Sequence, residues 1–387
     1  MAKREGRVEG MKLGQMIRLS KSCLGDAEKR AVMGVLDREY LGMGAEVQQF
    51  EQALTDFFGR PALCVVNGTA ALQLALEALG VGPGHEVLVP SLTYVASFQA
   101  ISATGARPVA CDVDVETLTL DCRDAEQRVT PFTRAVMPVH YAGGVGSLGA
   151  VRAFAERHRL RMVEDAAHAF GTVHRGRRVG GFGDIACFSF DGIKNITSGE
   201  GGCIVTDDPD VLSWVRDARL LGVESDTAKR YAGQRSWEFD VKAQGWRYHM
   251  SNIMAAIGIE QLKRLPTLAE RRRRLARRYD DALAKCMRIV RLPLDYACVV
   301  PHIYVIRIKG LSRRGDIRER LLSFGIQTGT HYQPNHTLSF YRDDAALPLP
   351  VTDMVAPQML SLPLHPDLAD EDVDFVCAKL LGILDEY

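Results

Sequence analysis

Short apolar segments alternate with helical segments through the first part of the chain, and this alternation limits the fold more than any other feature. Residues 87–90, 108–111, 135–139 and 160–163 are apolar and strand-like, whereas residues 46–58, 94–104 and 149–157 have helical character. Strands that alternate with helices form a mostly parallel sheet with helices on both faces. The sequence therefore predicts an α/β fold with a doubly wound sheet.

A second, smaller unit is predicted after a long charged helix near residues 261–285. An alternating strand at 303–308 opens it, and helices at 313–323 and 370–384 follow. A chain of 387 residues has room for about two domains of roughly 150 residues each. We expect a flexible tail over 1–15, a large domain over 16–262, and a linking helix with a small α+β domain over 263–387.

Charge and composition exclude several classes of function. The 48 basic and 48 acidic side chains balance, which argues against binding nucleic acid through a general basic field. The arginines at 271–274, 277 and 278 lie on a helical pattern and predict a solvated helix face. No stretch approaches the ~20 apolar residues of a membrane span. We predict no membrane segment and no metal site.

The nine cysteines indicate a reducing compartment. They are scattered, odd in number and contain no Cys-x-x-Cys, and several lie in apolar strands. This pattern is typical of buried, reduced thiols. The first ten residues are polar and lack the apolar core of a secretory signal. We therefore expect a cytoplasmic protein.

Lys194 is the strongest candidate for chemistry. It follows a strand-like stretch over residues 185–190 and precedes the glycine-rich run 199–202. An amine in apolar surroundings is more readily neutral, and the neutral amine attacks carbonyls. Most lysines in such loops are simply exposed. A partner 29 residues upstream favours the alternative, in which Lys194 binds an aldehyde-bearing cofactor.

That partner is Asp165, at the predicted carboxyl end of the strand over 160–163. Ligands of open α/β sheets bind at this edge. A carboxylate beside a pyridine nitrogen keeps the ring protonated and makes it a better electron sink. His168 follows by three residues and could lie over the same ring. The alternative interpretations are a helix cap for Asp165 and a half-buried structural histidine for His168.

A phosphate site is predicted where a strand turns into a helix at Asn67-Gly68-Thr69. The free N–H groups and the dipole of a helix N-terminus bind phosphate readily. Ser189, five residues before Lys194, is a further candidate ligand. The alternatives are ordinary N-capping by Asn67 or Thr69 and a hydroxyl bonded within the sheet for Ser189.

Five motifs follow one another along the chain. They are Asn67-Gly68-Thr69-Ala70-Ala71-Leu72, Glu164-Asp165-Ala166-Ala167-His168-Ala169, Phe188-Ser189-Phe190 with Lys194-Asn195, Gly199-Glu200-Gly201-Gly202 and Leu362-Pro363-Leu364-His365-Pro366. In this order they resemble the DegT/StrS family of pyridoxal phosphate-dependent nucleotide-sugar aminotransferases, and the resemblance runs from about residue 41 to the C-terminus. It implies an aspartate aminotransferase-like fold (fold type I), a large domain that binds pyridoxal 5'-phosphate (PLP), and a homodimer with shared active sites.

The resemblance also implies roles for individual residues. Lys194 would form the Schiff base with PLP, Asp165 would pair with the ring nitrogen, and His168 would lie beside the ring hydroxyl. Tyr94 would stack on the ring. Gly68, Thr69 and Ser189 would bind the phosphate. The implied reaction moves an amino group from glutamate or glutamine to a keto carbon of a nucleotide-linked sugar, by Schiff-base exchange at Lys194.

One segment departs from the family pattern. The stretch Gly245-Trp246-Arg247-Tyr248-His249-Met250 has Arg247 where relatives carry an asparagine that crosses the dimer interface. A guanidinium suits phosphate or carboxylate oxygens. Arg247 is therefore predicted to contact the cofactor phosphate across the dimer or a substrate pyrophosphate, with a structural salt bridge as the alternative. His331, Tyr332 and Asn195 are predicted to contact the substrate.

Three other functions compete with this interpretation. Gly144-Val145-Gly146-Ser147-Leu148-Gly149 is a literal G-x-G-x-x-G with Glu164 20 residues after its first glycine, which would indicate a nicotinamide-dependent oxidoreductase. A PLP-dependent sugar dehydratase would share the fold, but in such relatives the lysine is replaced by histidine. A sensor without catalysis would need no lysine. Lys194 favours transamination over all three.

Overall fold

The computed structural model describes residues 16–311, 313–343 and 345–386, so the predicted tail over 1–15 lies outside the described residues. Within the described ranges no helix is both long and apolar enough to cross a membrane. The elements in chain order are α1 (Asp26–Asp37), α2 (Ala45–Phe58), β1 (Ala62–Val65), α3 (Gly68–Ala78), β2 (Glu86–Pro90), α4 (Val95–Ala103), β3 (Arg107–Cys111), α5 (Cys122–Glu126), β4 (Thr133–Val136), α6 (Leu148–His158), β5 (Arg161–Asp165), β6 (Val173–His174), β7 (Arg177–Arg178), β8 (Ile185–Ser189), β9 (Gly202–Thr206), α7 (Pro209–Ala218), α8 (Asp226–Tyr231), α9 (Asn252–Leu283), β10 (Ile289–Arg291), β11 (Tyr304–Ile308), α10 (Arg314–Ser323), α11 (Pro350–Val355), β12 (Met359–Leu362) and α12 (Asp370–Asp385).

A seven-stranded sheet forms the centre of the molecule, in the order β1-β9-β8-β5-β4-β2-β3. The pairs β2/β3, β2/β4, β4/β5 and β5/β8 are parallel, and β9 runs antiparallel to both β1 and β8. Every residue of β1, β2, β8 and β9 is buried, as expected for strands covered on both faces. The predicted α/β fold with a mostly parallel sheet is confirmed.

Helices cover both faces of this sheet and form separate cores. On one face α3, buried from Ala70 to Leu76, packs with α4 and α7 against the sheet. On the other face, α2 places Val47, Phe50 and Leu54 against β1, β8 and β9. Because α3 is fixed between the sheet and its neighbouring helices, its N-terminus is held at one edge of the sheet.

A smaller unit contains the antiparallel sheet β10-β11-β12, with α12 and the end of α9 packed against it. Ile17 joins this core and bridges to Ile326, although it lies in the segment predicted for the large domain. Helix α9 is continuous across residues 262 and 263, since it runs from Asn252 to Leu283. Leu265 packs on the large core and Leu275 on the small one. The division of the chain into these domains stays a prediction.

The arginine run on α9 corrects one expectation. Arg274, Arg277 and Arg278 are at least partly exposed, as predicted for a solvated helix face. Arg272 is instead buried, with its side chain only 1% exposed. Its guanidinium bonds to backbone carbonyls, among them the carbonyl of His302 at 3.0 Å. Arg272 lies where α9 passes from one core to the other, and a helix in that position cannot expose all of its faces to water.

Candidate active site

A cavity of about 470 Å³ opens at the carboxyl edge of the large sheet, where β5 and β8 end and α3 begins. This is the edge at which ligands bind in open α/β sheets. The cavity brings together nine of the eleven candidate site residues, namely Gly68, Thr69, Tyr94, Asp165, His168, Ser189, Lys194, His331 and Tyr332. Residues distant in sequence therefore converge because the strands that precede them end side by side.

Lys194 extends its side chain to this cavity from a turn after β8. Burial lowers the pKa of its amine to about 8, although Asp165 and Asp191 act in the opposite direction. Arg272 lowers the pKa further by charge repulsion. About a tenth of the amine is then neutral at pH 7, far more than for an exposed lysine, and the neutral form attacks a carbonyl.

Asp165 is the last residue of β5 and is 7% exposed. Its carboxylate accepts hydrogen bonds from Ser97 Oγ at 2.7 Å and from the backbone N–H of Ala167 at 3.2 Å. Ser97 Oγ in turn lies 2.9 Å from Thr93 Oγ1. These contacts fix the orientation of a buried carboxylate that lines the cavity.

His168 is neutral and its tautomer follows from its partners. Burial, and next the charge of Lys194, hold the pKa of His168 well below its usual range. The backbone N–H of Ala142 lies 3.3 Å from Nδ1, so Nδ1 is the acceptor. The proton is therefore on Nε2, which donates to the hydroxyl of Tyr332 at 2.9 Å. His168 thus presents a fixed N–H at the cavity wall.

The N-terminus of α3 and the end of β8 form a narrow cradle. Asn67 caps the helix by accepting from the N–H of Ala70 at 2.8 Å, which leaves the N–H groups of Gly68 and Thr69 without an intrahelical partner. A Cβ on Gly68 would lie 2.8 Å from the Cβ of Ser189. Only glycine therefore allows the helix end to lie so close to this serine, and the cradle presents the donors that phosphate requires.

The mouth of the cavity is aromatic. Tyr94, just before α4, is 58% exposed, and its ring centre lies 5.5 Å from that of Tyr332. His331 Nδ1 bonds to Ser361 Oγ at 2.7 Å, and the carbonyl of His331 accepts from the hydroxyl of Tyr141. The loop at 331–332 is thus attached to the rest of the protein by two hydrogen bonds, and both of its residues line the cavity.

Two predicted site residues do not lie in the cavity. Asn195 is 3% exposed and donates from Nδ2 to the carbonyls of Phe170 and Val300, at 3.0 and 3.2 Å. Its predicted substrate contact is corrected, because the side chain is used to hold the backbone behind Lys194. Arg247 is exposed and does not line the cavity of its own chain.

Sequence reasoning missed three residues around the site. His302 Nε2 lies 3.5 Å from Lys194 Nζ, Ser97 bonds to Asp165, and Tyr141 holds the loop at 331–332. Each of these residues is distant in sequence from the residue that it contacts, and none belongs to one of the motifs. Ser97 alone carried a signal, because it lies in the first turn of α4, the helix that follows β2 at the same edge of the sheet.

The G-x-G-x-x-G segment serves packing instead of ligand binding. A Cβ on Gly146 would lie 2.0 Å from Thr119 Oγ1, and one on Gly144 would lie 2.7 Å from a methyl group of Leu294. Glu164 is fully buried and bonds to His140 Nε2 at 2.6 Å. Its carboxylate is therefore not free to bind a ribose.

Comparison with known proteins identifies the family. The family model for the DegT/DnrJ/EryC1/StrS aminotransferases matches residues 22–381. The chain belongs to this aminotransferase family. The oxidoreductase alternative is thus wrong, and membership confirms the resemblance and the fold type I prediction.

Solved structures agree with this membership. The aminotransferase TlmJ from Streptoalloteichus hindustanus is 34% identical, with a TM-score of 0.89 over 96% of this chain and 99% of that one. The sugar aminotransferase CalS13 from Micromonospora echinospora is 31% identical, with a TM-score of 0.86 over 95% and 100% of the two chains. Spr1654 from Streptococcus pneumoniae, solved in a PLP form, is 29% identical, with a TM-score of 0.89 over 96% and 99%.

The cofactor of this aminotransferase is PLP. The residues of the cavity fit it. The cradle at Gly68 and Ser189 suits a phosphate, the carboxylate of Asp165 suits a pyridine nitrogen, and the amine of Lys194 suits an aldehyde. The chemistry of this donor set matches the three functional groups of one small molecule.

Proposed function

We propose that this aminotransferase transfers the amino group of glutamate or glutamine to a keto carbon of a nucleotide-linked sugar. The observation that carries the proposal is the placement of the Lys194 amine in one cavity with Asp165 and the phosphate-type cradle. The sugar class is supported by the similarity to CalS13, which is a sugar aminotransferase. The donor and the nucleotide are inferred from the resemblance to the family.

Each of the main residues of the cavity would have a separate role in the reaction. When bound, PLP supplies an aldehyde that takes up an amino group and a ring that withdraws electrons. Lys194 Nζ would hold the cofactor and then, as a free amine, move the proton at the carbon that carries the nitrogen. Asp165 would hold a proton on the ring nitrogen. His168 would orient the ring by its Nε2–H, and Tyr94 would cover one face.

The charges of the cavity support a shared site in a homodimer. Among the residues that line it, Lys194 is the one ammonium or guanidinium, while Asp165, Asp191 and Glu200 are acidic. A phosphate, a glutamate carboxylate and a nucleotide are all anions and need cationic partners. We infer that Arg247 of the partner subunit supplies such a group.

The segment that precedes Arg247 is suited to an interface. Trp237 is 86% exposed, Phe239 58% and Val241 48%. Apolar side chains exposed together in one short segment are typical of a surface that another protein covers. We propose that a second copy of the chain covers this segment.

The donor and acceptor are tested by mass spectrometry. Purified protein is incubated with glutamate and with a set of nucleotide-linked keto sugars, and the product is identified by its mass. The proposal predicts one amino sugar and an equal amount of 2-oxoglutarate. Turnover of free keto sugars alone would overturn the nucleotide linkage, and turnover without 2-oxoglutarate would exclude glutamate as donor.

Arg247 is tested by kinetics. Arg247→Ala should raise the KM for the sugar nucleotide if Arg247 binds substrate, and should weaken cofactor affinity if it binds the cofactor phosphate. If only the dimer dissociates more readily, as measured by sedimentation, Arg247 forms a structural salt bridge. Arg313, which is exposed just before α10 and lies outside this segment, provides the control, since Arg313→Ala removes a guanidinium elsewhere and should change none of these values.

We also propose that the protein works in the cytoplasm. All nine cysteines are unpaired. Cys64 and Cys203 are directly opposite each other on β1 and β9 and still carry free thiols. Free thiols in such a position are typical of a reducing compartment.

A further inference from the structure

His302 lies next to Lys194 but is not among the residues that line the cavity, and no motif assigns it a role. Its Nε2 is 3.5 Å from Lys194 Nζ, and its side chain is buried. The residue immediately precedes the segment that leads into β11, so it belongs to the smaller unit, whereas Lys194 follows β8 of the large sheet. The contact therefore joins the two parts of the molecule at the reactive amine.

A buried guanidinium fixes the relative position of His302 and Lys194. Arg272 donates from Nη1 to the carbonyl of His302 at 3.0 Å, and from Nη2 to the carbonyls of Ile193 and Lys194 at 3.3 and 3.5 Å. The ring of His302 also packs on that of His168, with centres 4.4 Å apart. The imidazole has little freedom to turn away from the amine.

The charge states of the two side chains decide which of them donates the hydrogen bond. Its Nδ1 is buried and has no hydrogen-bond partner among the described residues, so Lys194 Nζ is the polar group that its ring meets. Burial and the charge of Lys194 hold the pKa of His302 well below its usual range, so the ring is neutral. Because an ammonium has donors only, Nε2 of the neutral ring is the acceptor in this contact, and the proton of the ring lies on Nδ1.

We propose that His302 is a positioning residue for Lys194, whose Nε2 accepts a hydrogen bond from the free ammonium and holds Nζ at the cavity wall. The proposal rests on the assigned role of Lys194 as the reactive amine. A hydrogen bond to a charged donor favours the charged form. His302 therefore opposes the burial that would otherwise drive the amine towards neutrality, and it gives Nζ a defined place whenever the amine is not bonded to the cofactor.

Other groups also act on this amine. Asp165 and Asp191 favour its charged form, and Arg272 disfavours it. His168 and His331 are near enough for the charge of Lys194 to lower their pKa values, and both are neutral near pH 7. None of these charges changes when His302 is replaced by another neutral side chain, so a change in the pKa of Lys194 reports the lost acceptor.

The test measures the pKa of Lys194 directly. The full-length chain, freed of cofactor, is labelled with trace acetic anhydride over a pH series, and acetylation of the peptide that contains Lys194 is quantified by mass spectrometry. In His302→Leu the pKa should fall by about one unit, because a charge-assisted hydrogen bond is lost. Lys194 would then be labelled roughly fivefold faster at pH 7 than in the unmodified protein. His302→Gln keeps an acceptor near the position of Nε2 and should restore the original pKa.

His365→Leu is the matched control. His365 is a second buried histidine with an unpartnered Nδ1 among the described residues, and it has no hydrogen bond to Lys194. This variant should leave the pKa of Lys194 unchanged. An unchanged or raised pKa in His302→Leu, in protein that still melts cooperatively, would overturn the proposal. The same holds if His302→Gln behaves like His302→Leu. If Lys194 did not form a covalent bond with PLP, the proposed role of Lys194 itself would be wrong. The labelling experiment uses protein without cofactor, so its result is independent of that outcome.

Discussion

Glu164 and Asp165 are adjacent carboxylates at the end of β5, and the alternation of the strand sends them to opposite sides of the sheet. Asp165 faces the cavity and is held by Ser97 and Ala167. Glu164 faces away from the cavity and bonds to His140. The side chains of Glu164 and His140 are at most 1% exposed. Asp165 and Glu164 are thus both buried carboxylates, and the face of the strand on which each lies decides which of them can contact a ligand.

Gly68 and Gly146 form a second pair that is alike in sequence context but different in what each glycine lies against. Gly68 allows the N-terminus of α3 to approach Ser189 in the cavity, whereas Gly146 allows a turn to pack against Thr119 beside α6. Both sets could be interpreted from sequence as phosphate-binding turns. A glycine motif therefore indicates that another group lies close to the backbone, and only the surrounding fold shows whether that group is a ligand or part of the protein.

Replacing Asp165 should have the largest effect. Asp165→Ala removes a charge-assisted hydrogen bond to a buried partner, which costs on the order of 1.5–3 kcal/mol, or roughly 10- to 100-fold in cofactor affinity. Turnover should fall on the order of 100-fold or more. Spectrophotometric titration with PLP and steady-state kinetics measure the two effects. Near-native values in both would show that Asp165 does not hold the ring nitrogen.

Replacing Glu164 should instead affect stability. Glu164→Gln disturbs the buried hydrogen bond to His140, at a cost of about 1–3 kcal/mol in the free energy of unfolding. Cofactor affinity should stay within about twofold, because Glu164 has no atom in the cavity. Thermal melting of the holoenzyme and PLP titration provide the readouts. If this variant lost its cofactor as readily as Asp165→Ala, the distinction between the two faces would be broken.

Ser97→Ala should give the smallest effect and refine the comparison on the cavity side. Ser97 does not line the cavity, but its hydroxyl bonds to Asp165 at 2.7 Å. We expect cofactor affinity to fall about fivefold, in line with the ~1 kcal/mol of an ordinary hydrogen bond. Ser102→Ala, on the same segment with its hydroxyl near Tyr341, is the control and should not change this affinity. Equal values for the two variants would show that Asp165 needs no support from Ser97.

The fold could be predicted well from the sequence where periodicity is regular. The predicted helix over 46–58 became α2, and the predicted strand over 108–111 became β3 with one added residue. The start of α9 was placed nine residues too late, because its first turns are apolar and carry none of the charge that marked the rest. Arg272 was misjudged for a related reason, since sequence does not show that the helix passes between two cores.

The site could be predicted where a residue adjoins its own motif. Lys194, Asp165, His168 and Ser189 lie at or just beyond strand ends, and parallel strands bring such positions to one edge. His302 could not be found in this way, because its contact with Lys194 spans 108 residues and depends on how the smaller unit packs against the sheet. Asn195 was misplaced because alternation of side chains cannot be followed through a turn.

The central claim is that the Lys194 amine, and no other amine of the chain, bonds covalently to the cofactor. The most direct measurement is reduction of the PLP-loaded enzyme with borohydride, followed by proteolysis and mass spectrometry. We predict one modified site, Lys194, and no covalent attachment in Lys194→Ala, which should still bind PLP through the phosphate cradle but should not turn over. A reduced adduct on another lysine, or normal turnover by Lys194→Ala, would contradict it.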